Sequence, residues 1–435
     1  MRVTLLSGGA AGMYCGSCIH DNTVAATLQR QGHDAVLVPL YTPLRTDEPN
    51  VSVDRVFLGA VNAYLSVKAP RLARLLRPVR RLLDRPRLLE WVGRMGAAAD
   101  AGELGELTLA MLAGGDGPMR FSLEQLRDWL VDGHRPDLVH LQNSMLLGMA
   151  PLLRETLGVP VTCSLQGEDL FLDELVEPYR EKALEILRTR HAAADRFVAN
   201  SRYYADHMAG LLGIERSKIS VVPLGVHPQD FAPSPEVSEL GERPFTVGYL
   251  ARLSPEKGLA VAVEAFRELA ALAAPEPVRF RIAGYLAPKD RAFYEEQRRR
   301  LDSWGLDVDL VGEVDRAGKV AFLRSLDALA VPTVYREPKG LFALEAMAAG
   351  VPVVLPRHGA FPELIEATGG GLLVEPGSPA AVAEALDRLR QDPELRRRMA
   401  DSGREAIRRG HTAEVAAGGL VELWHDILAE RPGRP

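Results

Sequence analysis

The feature that most constrains this chain is a pattern of strand, glycine-bearing loop and helix that begins at residue 3, lapses near residue 223 and begins again near residue 245. Val3-Thr-Leu-Leu6 is a short apolar run. Glycines follow from Gly8 to Gly16, then a helix-compatible stretch from Asp21 to Gln31 with Gly32 as its stop, then Ala35-Val-Leu-Val-Pro-Leu40. A strand, loop, helix and strand in that order make a right-handed crossover in a parallel sheet. Leu138–Leu141, Val159–Thr162 and Phe197–Ala199 read as further buried strands. The second series places strands at 245–250, 280–283, 308–311, 328–331, 351–355 and 371–374, with helices at 259–272, 291–304, 319–325 and 379–389 and one that contains Glu345 and ends at Gly350. Between the series, Pro223 to Pro244 is rich in Pro, Ser and Gln and loses periodicity. The expectation is an α/β protein of two doubly wound domains, 1–232 and 233–410, with the last helix, near 421–429, crossing back to the first. Open sheets of this kind bind ligands at the carboxyl ends of their strands.

Composition removes several classes. Lys and Arg number 52 against 58 Asp and Glu, so the net charge is 52 − 58 = −6 and the chain is not a globally basic nucleic-acid binder. No run approaches 18 uninterrupted apolar residues, and the first apolar run is too short for a signal-peptide core. Three cysteines in 435 residues form no disulfide framework. The expected location is cytoplasmic.

Chemistry-bearing residues of the second half fall at strand-to-loop edges. Arg252 and Lys257 lie five residues apart in Tyr249-Leu-Ala-Arg-Leu-Ser-Pro-Glu-Lys-Gly258, after a strand and before a helix. Two fixed cations beside free helix amides suit a diphosphate, although two surface cations would read the same way. Glu337-Pro-Lys-Gly-Leu-Phe-Ala-Leu-Glu345 sets two carboxylates around a glycine turn. If a helix starts at Leu341, the amides of Gly340, Leu341 and Phe342 form an anion site, and the carboxylates accept hydrogen bonds from sugar or ribose hydroxyls. The alternative is a capped helix with two solvated glutamates, against which the apolar Glu345-Ala-Met-Ala-Ala-Gly-Val-Pro-Val-Val speaks. Arg357-His-Gly-Ala-Phe-Pro-Glu363 is another glycine loop after a strand, and Gly284 lets a flat base approach the backbone after the strand ending at Ala283.

Val247-Gly-Tyr-Leu-Ala-Arg-Leu-Ser-Pro-Glu-Lys-Gly, Glu337-x7-Glu345-Ala-Met-Ala-Ala-Gly, and Gly371-Leu-Leu-Val-Glu-Pro-Gly together resemble glycosyltransferase family 4. The resemblance implies the GT-B fold, two Rossmann-like domains with a nucleotide-sugar donor, mostly retaining chemistry, and no metal or resident cofactor. It implies that Arg252 and Lys257 bind the donor diphosphate, that Glu337 contacts the transferred sugar and Glu345 the ribose, and that Gly340, Leu341 and Phe342 face phosphate or sugar. Gly16 would bring its backbone to the donor phosphates. It also implies a cleft that closes on the donor. The acceptor would be a sugar, lipid or polysaccharide. Two departures stand out. Lys339 occupies a place where relatives carry an aromatic. The loops where they often carry a catalytic histidine read Leu141-Gln-Asn143 and Leu165-Gln-Gly-Glu-Asp169, which makes Asn143, Gln166 and Asp169 the candidates there. His140, inside an apolar strand, reads as a core residue.

Three competing features remain. Cys15-x2-Cys18 at a helix start permits a redox pair, with small polar packing as the alternative. Asp307-Val-Asp309 resembles the metal-binding motif of a different transferase class, but it leads straight into a buried strand. Lys68 to Arg94 holds nine basic residues, opposed by Asp84 and Glu90, with leucines interleaved at helical spacing. That segment reads either as a surface helix pair or as an element for peripheral contact with an anionic membrane. Nucleic acid is disfavoured because a single aromatic, Trp91, falls among the nine basic residues.

Overall fold

The computed structural model describes residues 1–9, 15–69, 71, 101–232 and 243–431. They form two compact units, Met1–Pro223 with Ala416–Pro435, and Leu224–Val415. The division falls at Leu224, ahead of residue 233. There the chain entering the second unit lies alongside the chain leaving it: Val226 and Thr412 form a parallel bridge, and the Ala413 amide donates to the Val226 carbonyl at 2.8 Å.

Each unit is built on a six-stranded, wholly parallel sheet. In the first, β1 (Arg2–Ser7), β2 (Asp34–Pro39), β3 (Leu138–Leu141), β4 (Val161–Leu165), β5 (Arg196–Ala199) and β6 (Ile219–Val221) take the order β2-β1-β3-β4-β5-β6. In the second, β7 (Phe245–Leu250), β8 (Val278–Ala283), β9 (Val308–Gly312), β10 (Ala328–Ala330), β11 (Val353–Pro356) and β12 (Gly371–Val374) take the order β12-β11-β10-β7-β8-β9. Central strands read as continuous apolar runs because helices cover both faces of a parallel sheet; all six residues of β7 are buried. The direction of winding reverses between β1 and β3 and between β7 and β10. In open sheets such reversal points, at the carboxyl edge, are where ligands bind.

Several helix boundaries differ from expectation. The first helix spans Gly16–Arg30, so Gly16 opens the helix and does not lie in the loop; Cys15 supplies the extended backbone that starts it. The helix Arg316–Arg324 begins early because the Asp315 side chain accepts from the Gly318 amide at 2.8 Å. A helix that went unanticipated, Pro393–Gly410, is capped in the same way by Asp392 on the Leu395 amide. The last helix is Ala413–Ala429. Its Ala417, Leu420, Trp424 and Ile427 pack in one core with Val3, Leu5, Val24, Leu28 and Leu138 of the first unit.

Under that helix lies a polar pocket in the core. His140 is buried, as its apolar strand suggested, and its ring nitrogens bond Thr162 Oγ1 and Ser164 Oγ, each at 2.9 Å. The Trp424 indole donates to Thr162 Oγ1 at 3.3 Å and meets the His140 ring edge-on, with centroids 5.5 Å apart. Burial lowers the His140 pKa to about 4. Below the unfolded value, near 6.5, the unfolded chain binds a proton that the native state refuses, so stability falls with pH down to about 4 and then levels. We expect His140→Gln to flatten that limb of the urea-unfolding free energy, removing about 3 kcal/mol of pH dependence. An unchanged limb would mean that His140 is not the group responsible.

Among the described residues no helix is long and apolar enough to cross a membrane. Of the basic stretch at 68–94, Lys68 and Arg71 lie within the described residues and the rest outside them. Lys68 ends the helix Ala60–Lys68 and pairs with Glu106 at 2.7 Å.

Candidate functional site

The loops after β7 and β10 carry the second unit's constellation. The buried Tyr249 hydroxyl reaches the carbonyls of Arg252 and Lys257, at 3.1 and 3.2 Å, and so shapes the turn between the two cations. The cations are held very differently. Arg252 pairs with Glu256 at 2.9 Å and is about a third exposed, at 36% of its side chain. A pair that open is worth at most about 1 kcal/mol, so an anion exchanges for Glu256 easily. Lys257 Nζ bonds Glu337 Oε2 and the Tyr335 hydroxyl, both at 2.6 Å, and sits over the Tyr335 ring at 4.8 Å. An ammonium has three N–H groups, so these two bonds leave one for a ligand.

Glu337 is 5% exposed. Burial alone would push its carboxyl up, but the Lys257 charge, hydrogen bonds from Lys257 and Tyr335, and the charge of the half-buried Lys339 together hold it below the usual carboxylate range. The loop is fixed from behind by the segment after β11. The Ala360 amide donates to the Glu337 carbonyl at 2.8 Å. Gly359, at φ 60°, lies so close that a Cβ there would fall 2.5 Å from that carbonyl oxygen. The glycine loop at 357–363 thus supports Glu337 from outside, a function its sequence position did not announce.

Gly340, at φ 74°, starts the helix Leu341–Ala348. Its amide points at Glu337 Oε1 at a long 3.5 Å, and the first internal bond runs from the Ala343 amide to the Gly340 carbonyl. The amides of Leu341 and Phe342 precede that bond, which is the anion-binding end of a helix. Glu345, one turn in, is buried and bonded at 2.5 Å to Lys319 of the helix Arg316–Arg324. Lys319 escaped the sequence reading. Gly284 follows β8, where a Cβ would fall 1.7 Å from the Ala251 carbonyl oxygen; packing within the unit already demands glycine there.

The first unit gathers polar side chains after β1, β3 and β4. Gln166 donates from Nε2 to Asp21 Oδ1 and to the Gln142 carbonyl, both at 3.0 Å. Gln142 Oε1 accepts from the Gly8 amide at 2.7 Å. Gln166, Gln142 and Asp21 are therefore brought together. Asn143 is employed otherwise: its Oδ1 accepts from the Met145 amide and caps the short turn Ser144–Met149. Asp169 accepts from the Tyr204 hydroxyl at 2.7 Å and pairs with His207 at 3.2 Å, which ties two helices. Glu168 braces both loops by accepting from the Ser144 amide and hydroxyl and from the Gln166 amide. A Cβ on Gly16 would meet nothing within 4 Å, so the chain's own packing does not require glycine there; residues 10–14 of its loop lie outside the described residues.

Two rival features find structural employment. Asp307 pairs with Arg279 and Asp309 with Arg281, at 2.9 and 2.8 Å, across neighbouring strands. Cys18 is buried, and a hydrogen bond with Cys15 followed by burial raises its thiol well above the ordinary value. That is the opposite of an activated thiolate.

The chain matches the family model for "Glycosyl transferases group 1" over residues 230–406 and that for "Glycosyltransferase Family 4" over residues 107–230. It is 30% identical over 314 residues to the phosphatidyl-myo-inositol mannosyltransferase of Mycobacterium leprae, an alignment that covers 70% of this chain and 76% of that protein. It is 30% identical over 256 residues to the D-inositol 3-phosphate glycosyltransferase of Xylanimonas cellulosilytica, covering 56% of this chain and 60% of that one. Among solved structures, Anabaena Alr3699/HepE in complex with UDP superposes with a TM-score of 0.69 at 17% identity, covering 98% of this chain and 100% of that chain.

Proposed function

This chain belongs to glycosyltransferase family 4 and is a glycosyltransferase of GT-B fold; from that premise we propose that it moves a hexosyl group from a nucleoside diphosphate sugar to a polyol of the inositol type, with retention and without a metal ion. The observation that carries the donor side is the grouping of Arg252, Lys257, Glu337 and the amides of Leu341 and Phe342 after β7 and β10. As the sugar C1–O bond to the β-phosphate breaks, negative charge grows on the leaving diphosphate. Arg252, the remaining Lys257 N–H and the helix amides stabilise it, work that a divalent cation does elsewhere. Glu337 faces the positive charge developing at C1. The acceptor oxygen attacks on the face the diphosphate leaves, and its proton passes to the departing β-phosphate oxygen. Glu345, fixed by Lys319, accepts from the ribose. Asp21, Gln142 and Gln166 offer amide and carboxylate groups to acceptor hydroxyls. The names of the inositol-directed relatives support the acceptor class, and the UDP held by HepE supports a nucleoside diphosphate donor.

Thermal-shift screening of UDP-, GDP- and ADP-sugars tests the donor, because a ligand bound only by the native state raises Tm. Transfer to myo-inositol, its 3-phosphate and phosphatidylinositol, with and without EDTA, tests acceptor and metal. No Tm shift with any donor would defeat the proposal. Arg252→Ala and Lys257→Ala are expected to weaken UDP by roughly tenfold or more while leaving uridine within a factor of about two, since each removes a charge-assisted bond to phosphate. Calorimetry showing equal losses for UDP and uridine would reject this division.

A further inference from the structure

Tyr335 stands two residues before Glu337 and is half-buried. Its hydroxyl lies 2.5 Å from Glu337 Oε2 and 2.6 Å from Lys257 Nζ, and Lys257 Nζ reaches the same carboxylate oxygen at 2.6 Å. The three groups close a triangle. Its directions are fixed by chemistry: an ammonium only donates and an ionised carboxylate only accepts, so the phenol accepts from Lys257 and donates to Glu337.

The triangle bears on what happens when a diphosphate arrives. Lys257 is then drawn towards the phosphates, and its hold on Glu337 weakens. A carboxylate 5% exposed that loses the stronger of its two cations, with the charge of Lys339 left, is pushed towards taking up a proton. A protonated Glu337 no longer stabilises positive charge on the sugar. The phenol is neutral, so the anion does not draw it away, and it already bonds the oxygen that Lys257 shares. We infer that Tyr335 is a positioning residue whose hydroxyl keeps Glu337 ionised and aimed while Lys257 turns to the diphosphate. The inference rests on the assignment of Glu337 to the sugar side. The direction in which Glu337 is held, with the Tyr335 hydrogen bond among its causes, agrees with it.

The test reads ionisation directly. Full-length protein carrying 13C-labelled glutamate side chains is titrated by NMR, free and saturated with UDP, and the Glu337 signal is assigned by its loss in Glu337→Gln. In the wild type the Glu337 midpoint should stay below the ordinary carboxylate range in both states. In Tyr335→Phe it should rise by about one to two pH units, and further with UDP bound than without. Tyr335→His, which restores a donor, should bring it back towards the wild-type value. The UDP affinity of Tyr335→Phe should stay within about twofold, while kcat with UDP-glucose or GDP-mannose falls roughly tenfold at unchanged KM. A Glu337 midpoint unmoved by Tyr335→Phe overturns the inference whatever the activity. So does a raised midpoint with kcat unchanged. If Tyr335→Phe does not fold, the same comparison is made between Tyr335→His and Tyr335→Leu. Failure of the underlying assignment is recognised separately, by Glu337→Gln that turns over at the wild-type rate.

Discussion

Glu337→Gln is expected to lower turnover by roughly 10²-fold or more while UDP binds within about threefold of wild type. Gln fills the same volume and still offers an oxygen to Tyr335 and Lys257, so the loop held by Ala360 keeps its place. What disappears is the negative charge beside the reacting sugar. That loss acts on the transition state, where the charge on C1 is greatest, and hardly on the ground state. UDP itself gains slightly, because Lys257 is no longer shared with a carboxylate. Steady-state kinetics with isothermal calorimetry on UDP decides: turnover near wild type removes Glu337 from the reaction, and UDP binding lost in proportion to turnover moves it to the phosphate side.

Lys319→Met is expected to destabilise the second unit by about 3 to 5 kcal/mol, because it leaves the Glu345 carboxylate buried with its cation gone. The side chains of the pair are 10% and 5% exposed, so water does little to soften the loss. Scanning calorimetry should show one transition falling by roughly 10 °C, given about 2 to 4 °C per kcal/mol for a domain of this size. Lys319→Met combined with Glu345→Leu should recover most of that stability, since two apolar groups replace the pair and no charge is stranded. A double variant as unstable as the single would show that the fault is packing. Glu345→Ala strands Lys319 in turn, so nucleotide affinities for that variant belong beside its melting curve.

The strand-to-loop positions of this chain were readable because their logic is local. Arg252, Lys257 and Glu337 each follow a buried apolar run, and such runs end at the carboxyl edge of a parallel sheet. Tyr335, Lys319 and Glu256 were not readable. Their meaning depends on a partner across the loop or on another helix, and spacing carries no trace of a pair formed 26 positions apart by Lys319 and Glu345. The glycines were only partly readable. Gly16 is the first residue of a helix and not part of the loop before it, while Gly359, read only as part of a loop, is the position where the backbone of Glu337 comes too near for any side chain. The aspartates at 307 and 309 show why a motif needs its surroundings: successive strands carry Arg279 and Arg281 opposite them, and cross-strand pairing accounts for both.

The last helix gives the protein an unusual order of manufacture. The core around Val3, Leu5 and Leu138 is completed by Leu420, Trp424 and Ile427, which leave the ribosome after every residue of the unit Leu224–Val415. The unit that begins the chain is therefore the last to be finished, and the inserted one has its whole sequence in hand first. Domains generally fold as they emerge, N-terminal first, and this chain inverts the rule. Until Trp424 emerges, the face that awaits it stays uncovered and is a surface for chaperones to shield. A stop codon a few residues before Leu420 would spare every proposed donor-site residue named here and yet strand the first unit half-built.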